Sequence, residues 1–164
     1  MRLRTISRKM KQSVHGKPGT RGHAMVEVAL MAPWIFLLFI GILDFGFYAY
    51  SAISVENAAR AAALYTSSSG GITDSAGACF YVLQELRNVA NVGTSVTTCG
   101  TGLTTPSQTA PVVVTAQAAT VGGVPAAQVT VTYQMVPLIP IPWLPIQNGG
   151  LYNITRTVSM RQAQ

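Results

Sequence analysis

The residues best placed to take part in chemistry near the start of the chain are a glycine and a carboxylate five positions apart, Gly22 and Glu27. They stand between a basic tail and an apolar run, 28–43, that carries no charged side chain. A carboxylate at the start of a membrane span is disfavoured unless it faces a partner. The dipole of a helix stabilises a carboxylate near the helix start. This explains why a carboxylate is tolerated there, but not what it does. An interfacial glutamate of no consequence is the alternative.

The two cysteines, Cys79 and Cys99, both follow the apolar run. An exported pair of cysteines in an oxidising compartment favours a disulfide, and two buried free thiols are the alternative. A metal site is not indicated, because the pair lacks further ligands. The two histidines, His15 and His23, lie in or beside the basic tail.

No set of residues predicts catalysis. Beyond residue 66 the acids are Asp74 and Glu85, and no histidine lies there to serve as a base for a serine or cysteine nucleophile. The pair Gly122-Gly123 lacks the helix and lysine of a phosphate-binding loop. We therefore expect no enzyme activity and no cofactor or metal.

The positive charge of the chain is concentrated before Gly22. Seven of the eleven lysines and arginines precede this glycine and no acid does, whereas the sequence from His23 onward has four basic and five acidic side chains. Basic tails can bind nucleic acid through its phosphates. A basic block directly before an apolar span more often fixes topology, with the positive end in the cytoplasm. We therefore predict a basic cytoplasmic leader over residues 1–22 and no nucleic-acid partner.

Residues 23–66 are predicted to form one long helix whose part from about 28 to 50 crosses a membrane. At helical rise this part covers about 34 Å, enough to span a bilayer with some tilt. A cleavable secretory signal is the rival interpretation, but its apolar core is shorter, about 7–15 residues. Pro33 lies inside the predicted helix and is expected to kink it. Membrane lipid is therefore an expected partner.

Residues 67–164 are predicted to form a small extracytoplasmic domain of the α+β class, with one short helix and a sheet of three or four antiparallel strands. Over 75–90, four apolar residues at helical spacing indicate the short helix and its core face. These are Phe80, Leu83, Leu86 and Val89. After Gly93 the apolar period changes to two, as in a sheet with one wet face. Strands are expected near 112–119, 128–135 and 152–160, and a short edge strand at 94–99 would make a fourth.

A proline-rich stretch, 137–146, separates the last two predicted strands. It cannot form a helix or a central strand, because its four prolines lack the backbone N–H group. Two interpretations are equally supported. The stretch is either a rigid connector or a contact loop with Trp143 as its anchor.

Together, Arg21-Gly22, the glutamate five residues after the glycine and the apolar span resemble the processing site of type IV pilin-like proteins. In that class a prepilin peptidase cuts after the glycine, and the glutamate helps dock the subunit against the new amino terminus of a neighbour. More narrowly, residues 21–65 are similar to the TadE-like pseudopilins of tight-adherence (Flp) pilus systems. The matching residues are Glu27, Ala29, Pro33, the sequence ILDFG at 42–46 and the sequence VENAARAAALY at 55–65.

This resemblance implies a minor pseudopilin in the bacterial inner membrane, with its amino terminus cytoplasmic and its C-terminal domain periplasmic. It also implies, as partners, a prepilin peptidase, other pilins or pseudopilins and the pilus assembly machinery. One residue departs from the pattern: His23 would become the new amino terminus, where many pilins carry phenylalanine or methionine. An uncleaved, signal-anchored binding module and a type II secretion pseudopilin are the alternatives.

Overall fold

The computed structural model describes residues 21–68, 71–100, 105–107, 109–137 and 152–162, with side chains from Met25 onward. The predicted leader up to residue 20 and the loop around Trp143 lie outside the described residues. Within those ranges the chain forms α1 (Arg21–Ser68), α2 (Ser75–Leu86), β1 (Val112–Val121), β2 (Val124–Met135) and β3 (Tyr152–Arg161). The predicted α+β class is therefore confirmed.

The chain divides into two compact units, Met1–Leu38 and Phe39–Gln164. The described part of the first unit is the beginning of α1, with Pro33 inside the helix. The second unit contains the rest of α1, α2 and the sheet. The C-terminal half of α1 belongs with this domain because its side chains are part of the same core as those of the sheet.

Small side chains form the buried face of α1 in the second unit. They repeat at helical spacing and are completely buried, as Val55, Ala58, Ala59, Ala62 and Ala63. Alanine favours the helix and costs no side-chain entropy when it is buried. The core cluster joins this face to apolar residues of all three strands.

An aspartate and a tyrosine hold the start of α2. Asp74 is the N-cap residue, and its carboxylate accepts hydrogen bonds from the backbone N–H of Gly77 at 2.9 Å and from the hydroxyl of Tyr65 at 3.0 Å. These two bonds, the backbone bond foremost, lower the pKa of Asp74 below its usual 3.8. The ring of Tyr65 also packs against Tyr81 at a centroid distance of 4.7 Å. The cap therefore ties α2 to the end of α1.

The core face predicted for 75–90 is confirmed at Leu86 and Val89, which are buried, and is wrong for its other two residues. Phe80, expected in the core, is 66 % exposed, and Leu83 is only partly buried. The buried residues of the helix are Ala78, Cys79, Val82 and Leu86. The N-cap and the disulfide at Cys79 fix the rotation of the helix, so the face with Cys79 meets the core and the ring of Phe80 faces outward. The helix ends at Leu86, four residues before the predicted end, and turns follow.

The structure contains a disulfide between Cys79 and Cys99, with a Cα–Cα distance of 5.9 Å. Cys79 is buried on α2, and Cys99 lies in the connection that leads toward β1. The bond thus attaches this connection to the core. Residues 94–99 do not form the fourth strand that the sequence suggested, because turns occupy 92–95 and only Gly100 reaches the sheet, in an isolated parallel bridge to Val113.

The sheet is antiparallel throughout, with strand order β1-β2-β3. Gly122 and Gly123, both with positive φ, form the two-residue turn between β1 and β2. The predicted alternation of β2 is confirmed except at Gln134, which is buried. The apolar residues are buried as expected: Val129, Val131, Tyr133 and Met135. The hydroxyl of Tyr133 donates to the carbonyl of Ala90, and burial raises the pKa of this tyrosine to about 12.

Removing the disulfide is expected to destabilise the domain. The bond closes a loop between residues 20 positions apart, so a Cys79→Ala/Cys99→Ala variant should lose about 3 kcal/mol of unfolding free energy. Urea unfolding of the full chain in detergent, followed by tyrosine fluorescence, measures this loss. A reductant should lower the stability of the wild type to that of the variant and leave the variant unchanged. Equal stability of the oxidised wild type and the variant would contradict the prediction.

Candidate functional site

The candidate site is the beginning of α1, residues 22–43, which we call the N-terminal segment. Its backbone is helical from Arg21 onward, so Gly22 and His23 both lie in the first turn. Glu27 follows less than two turns later, and its side chain is exposed. The local sequence favours this helix, because leucine, methionine and alanine are frequent in it and no glycine interrupts it between Gly22 and Gly41.

The apolar side chains of the N-terminal segment are uncovered. Between residues 25 and 45 the large apolar side chains, Ile40 apart, are 43 to 78 % exposed. They occupy consecutive positions and therefore surround the helix, a pattern of helices buried in lipid or protein and not of an amphipathic surface helix. The helix Met25–Ser68 is long and apolar enough to cross a membrane, and none of its most apolar window is buried. The segment is therefore a membrane anchor followed by a folded domain.

α1 extends well beyond the apolar run. The same helix runs on without a break to Ser68 and supplies Val55 and the alanines of the core.

Pro33 affects the backbone near Glu27. Proline has no N–H group, so the carbonyl of Ala29 one turn earlier lacks its helical hydrogen bond from Pro33. In lipid such a carbonyl is satisfied by neighbouring helices or side chains. The helix therefore carries two polar groups near its start, the Glu27 carboxylate and this carbonyl, within an apolar surface. The kink itself stays a prediction.

Farther along α1, Glu56 connects the helix to the sheet. One carboxylate oxygen lies 3.1 Å from the Nη2 of Arg60, and the other lies 3.7 Å from the Nε of Arg156 on β3. Arg156 is the one charged residue on the face of β3 that also carries Ile154, Val158 and Met160. Glu56 offsets this charge. The alternation of β3 marks Arg156 as an exception, but the sequence does not reveal its partner, because the two residues are far apart in the chain.

The predicted site residues fall into separate places. Gly22, His23 and Glu27 share the start of α1, whereas the Cys79–Cys99 disulfide belongs to the other compact unit. Trp143 is outside the described residues. Where the structure is described, no group of three or more histidine, cysteine, aspartate or glutamate side chains is placed to hold a metal ion.

Comparison with known proteins identifies one family. Residues 22–64 match the model of the TadE-like protein family, which confirms the resemblance over this range. No curated protein and no solved structure matches the chain. The match begins at Gly22, includes Glu27 and Pro33, and ends at Leu64, one residue after the last buried alanine of α1. It indicates a role in assembly of the tight-adherence (Tad/Flp) pilus.

A charge in the middle of the anchor should weaken membrane insertion. Leu37 is 56 % exposed in the apolar run, and an arginine at the centre of a span is disfavoured by about 2.5–3.5 kcal/mol. We expect Leu37→Arg to lower the fraction of chain that resists alkaline extraction from membranes. Leu64→Arg is the matched control, because Leu64 is 61 % exposed but lies beyond the apolar run. Equal extraction of the two variants would contradict the assignment of the span.

Proposed function

We propose that the chain is a minor pseudopilin that supports assembly of an adhesive tight-adherence (Flp-type) pilus. The observation that carries the proposal is the coincidence of the family match, 22–64, with a helix that is exposed over its apolar part and carries Glu27 just before that part. Such a surface is stable only when it is covered. Lipid covers it while the chain is an anchored monomer, and helices of other subunits cover it during assembly.

The basic leader sets the topology in this proposal. Seven positive residues before Gly22 keep the amino terminus in the cytoplasm. The domain then lies on the periplasmic side of the inner membrane, which suits its disulfide. A prepilin peptidase removes residues 1–22 on the cytoplasmic side, and His23 becomes the new amino terminus.

Glu27 is the docking group. Its side chain is exposed, and the described residues provide no ion-pair partner for it. An unpaired carboxylate in a low-dielectric setting is costly. Cleavage creates a cationic amine at His23, and the amine of one subunit pairs with Glu27 of its neighbour. The pairing stabilises side-by-side packing of two helices, which the leader prevents until it is removed.

The role is structural and not enzymatic. The partners are the prepilin peptidase, other pilins or pseudopilins, and the assembly machinery of the inner membrane. The proposal includes neither nucleic acid nor a cofactor. An uncleaved, signal-anchored binding module would carry the same domain and anchor. It would keep its first 22 residues, so the two functions differ in a measurable property of the mature chain. A type II secretion pseudopilin would be cut in the same way and differs in the machinery it serves.

The mature chain is expected to begin at His23. Mass spectrometry of chain extracted from membranes should find the peptide that starts there and no peptide from residues 1–22. A Gly22→Val variant should keep the leader, because a bulky side chain replaces the glycine before the cut. A Gly19→Val variant, with the same change inside the leader, should be processed like the wild type. An intact leader on the wild-type chain in cells with an active prepilin peptidase would favour the uncleaved module.

Loss of the Glu27 carboxylate should impair assembly and leave cleavage largely intact. Removing one partner of a buried ion pair costs roughly 3–5 kcal/mol, so Glu27→Ala should reduce the amount of sheared pilus by about 100-fold or more. Glu27→Asp keeps the charge and should retain part of the output. Glu85→Ala removes an exposed carboxylate of α2 and should have no effect. Normal pilus output from Glu27→Ala would count against the docking role.

A further inference from the structure

The two edges of the sheet differ in the hydrogen bonding of their outward-facing backbone groups. On β1 the outward-facing backbone groups are bonded by other parts of the domain. The carbonyl of Val112 accepts from the N–H of Gly100 at 2.9 Å, and the N–H of Val114 donates to the carbonyl of Gly100 at 3.2 Å. The N–H of Ala116 donates to Oγ of Ser75 at 3.0 Å. These bonds close the first half of the β1 edge.

The register shows which backbone groups of β3 face outward. The N–H of Gln162 donates to the carbonyl of Pro125 at 3.1 Å, and hydrogen-bonded pairs recur at every second residue of an antiparallel ladder. The even-numbered residues of β3 therefore bond to β2, whereas the odd-numbered ones direct their N–H and carbonyl groups away from it. These residues are Asn153, Thr155, Thr157, Ser159 and Arg161.

The outer edge of β3 is open over its whole length among the described residues. One of its outward groups has a partner there, the carbonyl of Thr155, which accepts from the Nη1 of Arg156 at 3.1 Å. No backbone group of the described chain bonds to the others. A long edge with unpaired N–H and carbonyl groups is a template for another strand, and natural proteins usually block such edges.

Side chains hold this edge in an extended, ordered form. Hydroxyl contacts join Thr157 to Thr130 at 3.0 Å and Thr155 to Thr132 at 3.1 Å across the wet face. The amide of Gln128 donates to Ser159 at 3.3 Å. These side chains are engaged toward β2, so they do not cover the outward backbone. The edge is thus ordered before any partner arrives, which lowers the entropy cost of adding a strand.

We propose that the outer edge of β3 binds an extended segment of a partner polypeptide as a fourth strand. Val158 and Met160 are only partly buried at the border of the core. Apolar residues on the inner face of the added segment would cover them. Arg156 and Arg161 are the charges of β3, and the strand has no acid. Because Glu56 already matches Arg156, the added segment carries a carboxylate beside Arg161 and no positive charge along the strand.

A second copy of the chain is a poorer occupant of this edge. Antiparallel pairing of β3 with itself relates the copies by a twofold axis through the joined sheet. Such pairing also brings the arginines of two β3 strands together, and the strand has no acid to pair with them. The partner is therefore a different polypeptide. That this partner is a component of the pilus system rests on the proposed function.

Proline at outward positions tests the edge. A Thr157→Pro/Ser159→Pro variant removes two outward N–H groups and leaves the bonds to β2, which come from even-numbered residues. A Thr157→Val/Ser159→Val variant removes the same two hydroxyls but keeps both N–H groups. Each full-length variant is returned to cells that lack the chain. The measurements are sheared pilus and the thermal unfolding of the purified chain in detergent.

The proline variant should unfold near the wild-type temperature and lower pilus output by at least about 10-fold, because it loses two backbone hydrogen bonds to the partner. The valine variant should restore output. Full output from the proline variant, or equal loss from both variants, would overturn the inference. If cells without the chain make normal pili, the proposed function fails instead.

If the proline variant does not fold, hydrogen exchange of the wild-type chain tests whether a partner binds to the outer edge of β3. In the wild-type chain the amides of Thr157 and Ser159 should exchange at least about 10-fold more slowly in membranes of piliated cells than in the purified chain. Slow exchange in the purified chain would show that the chain covers its own edge. Fast exchange in both samples would show that nothing binds there. Either result would overturn the inference.

Discussion

The burial of the alanine face of α1 in the same core as the sheet is the contact on which the rest of the structure depends. Completely buried small side chains, Ala58, Ala59, Ala62 and Ala63, place the helix in the same core as the inner face of β2. One continuous helix therefore serves two surroundings. Its first part is apolar on all sides and exposed, and its second part is apolar on the side that meets the sheet.

This division explains the charged residues of the helix. Glu56 stands at the border of the packed face, where it meets Arg60 on the helix and Arg156 on β3. Exposed ion pairs contribute little to stability, so the value of this contact is chiefly that Arg156 is matched on a face that is otherwise apolar. Glu27 stands in the unpacked part, where the described chain provides no such cation. The two glutamates differ because one helix has two surroundings.

The sheet and α2 are connected by a few polar and covalent links. Asp74 caps α2 and receives the hydroxyl of Tyr65, Ser75 receives an N–H of β1, and the disulfide attaches the connection after α2. These links lie on the side of β1, and Ser75 together with Gly100 of the attached connection closes the first half of its edge. Nothing comparable in the described chain lies along β3. The asymmetry between the two edges is thus a consequence of where α2 and its disulfide are placed.

The sequence by itself determined the parts that depend on local pattern. The charge boundary at Gly22, the apolar run with Glu27 at its head and the alternation of β2 were all readable, because each reflects one surrounding along a continuous stretch. The tertiary structure decided which face of α2 is buried, that Gly100 and not a strand meets β1, that Glu56 faces Arg156, and that β3 keeps an open edge. These features join residues far apart in the chain, and periodicity within one element contains no information about which distant element lies beside it.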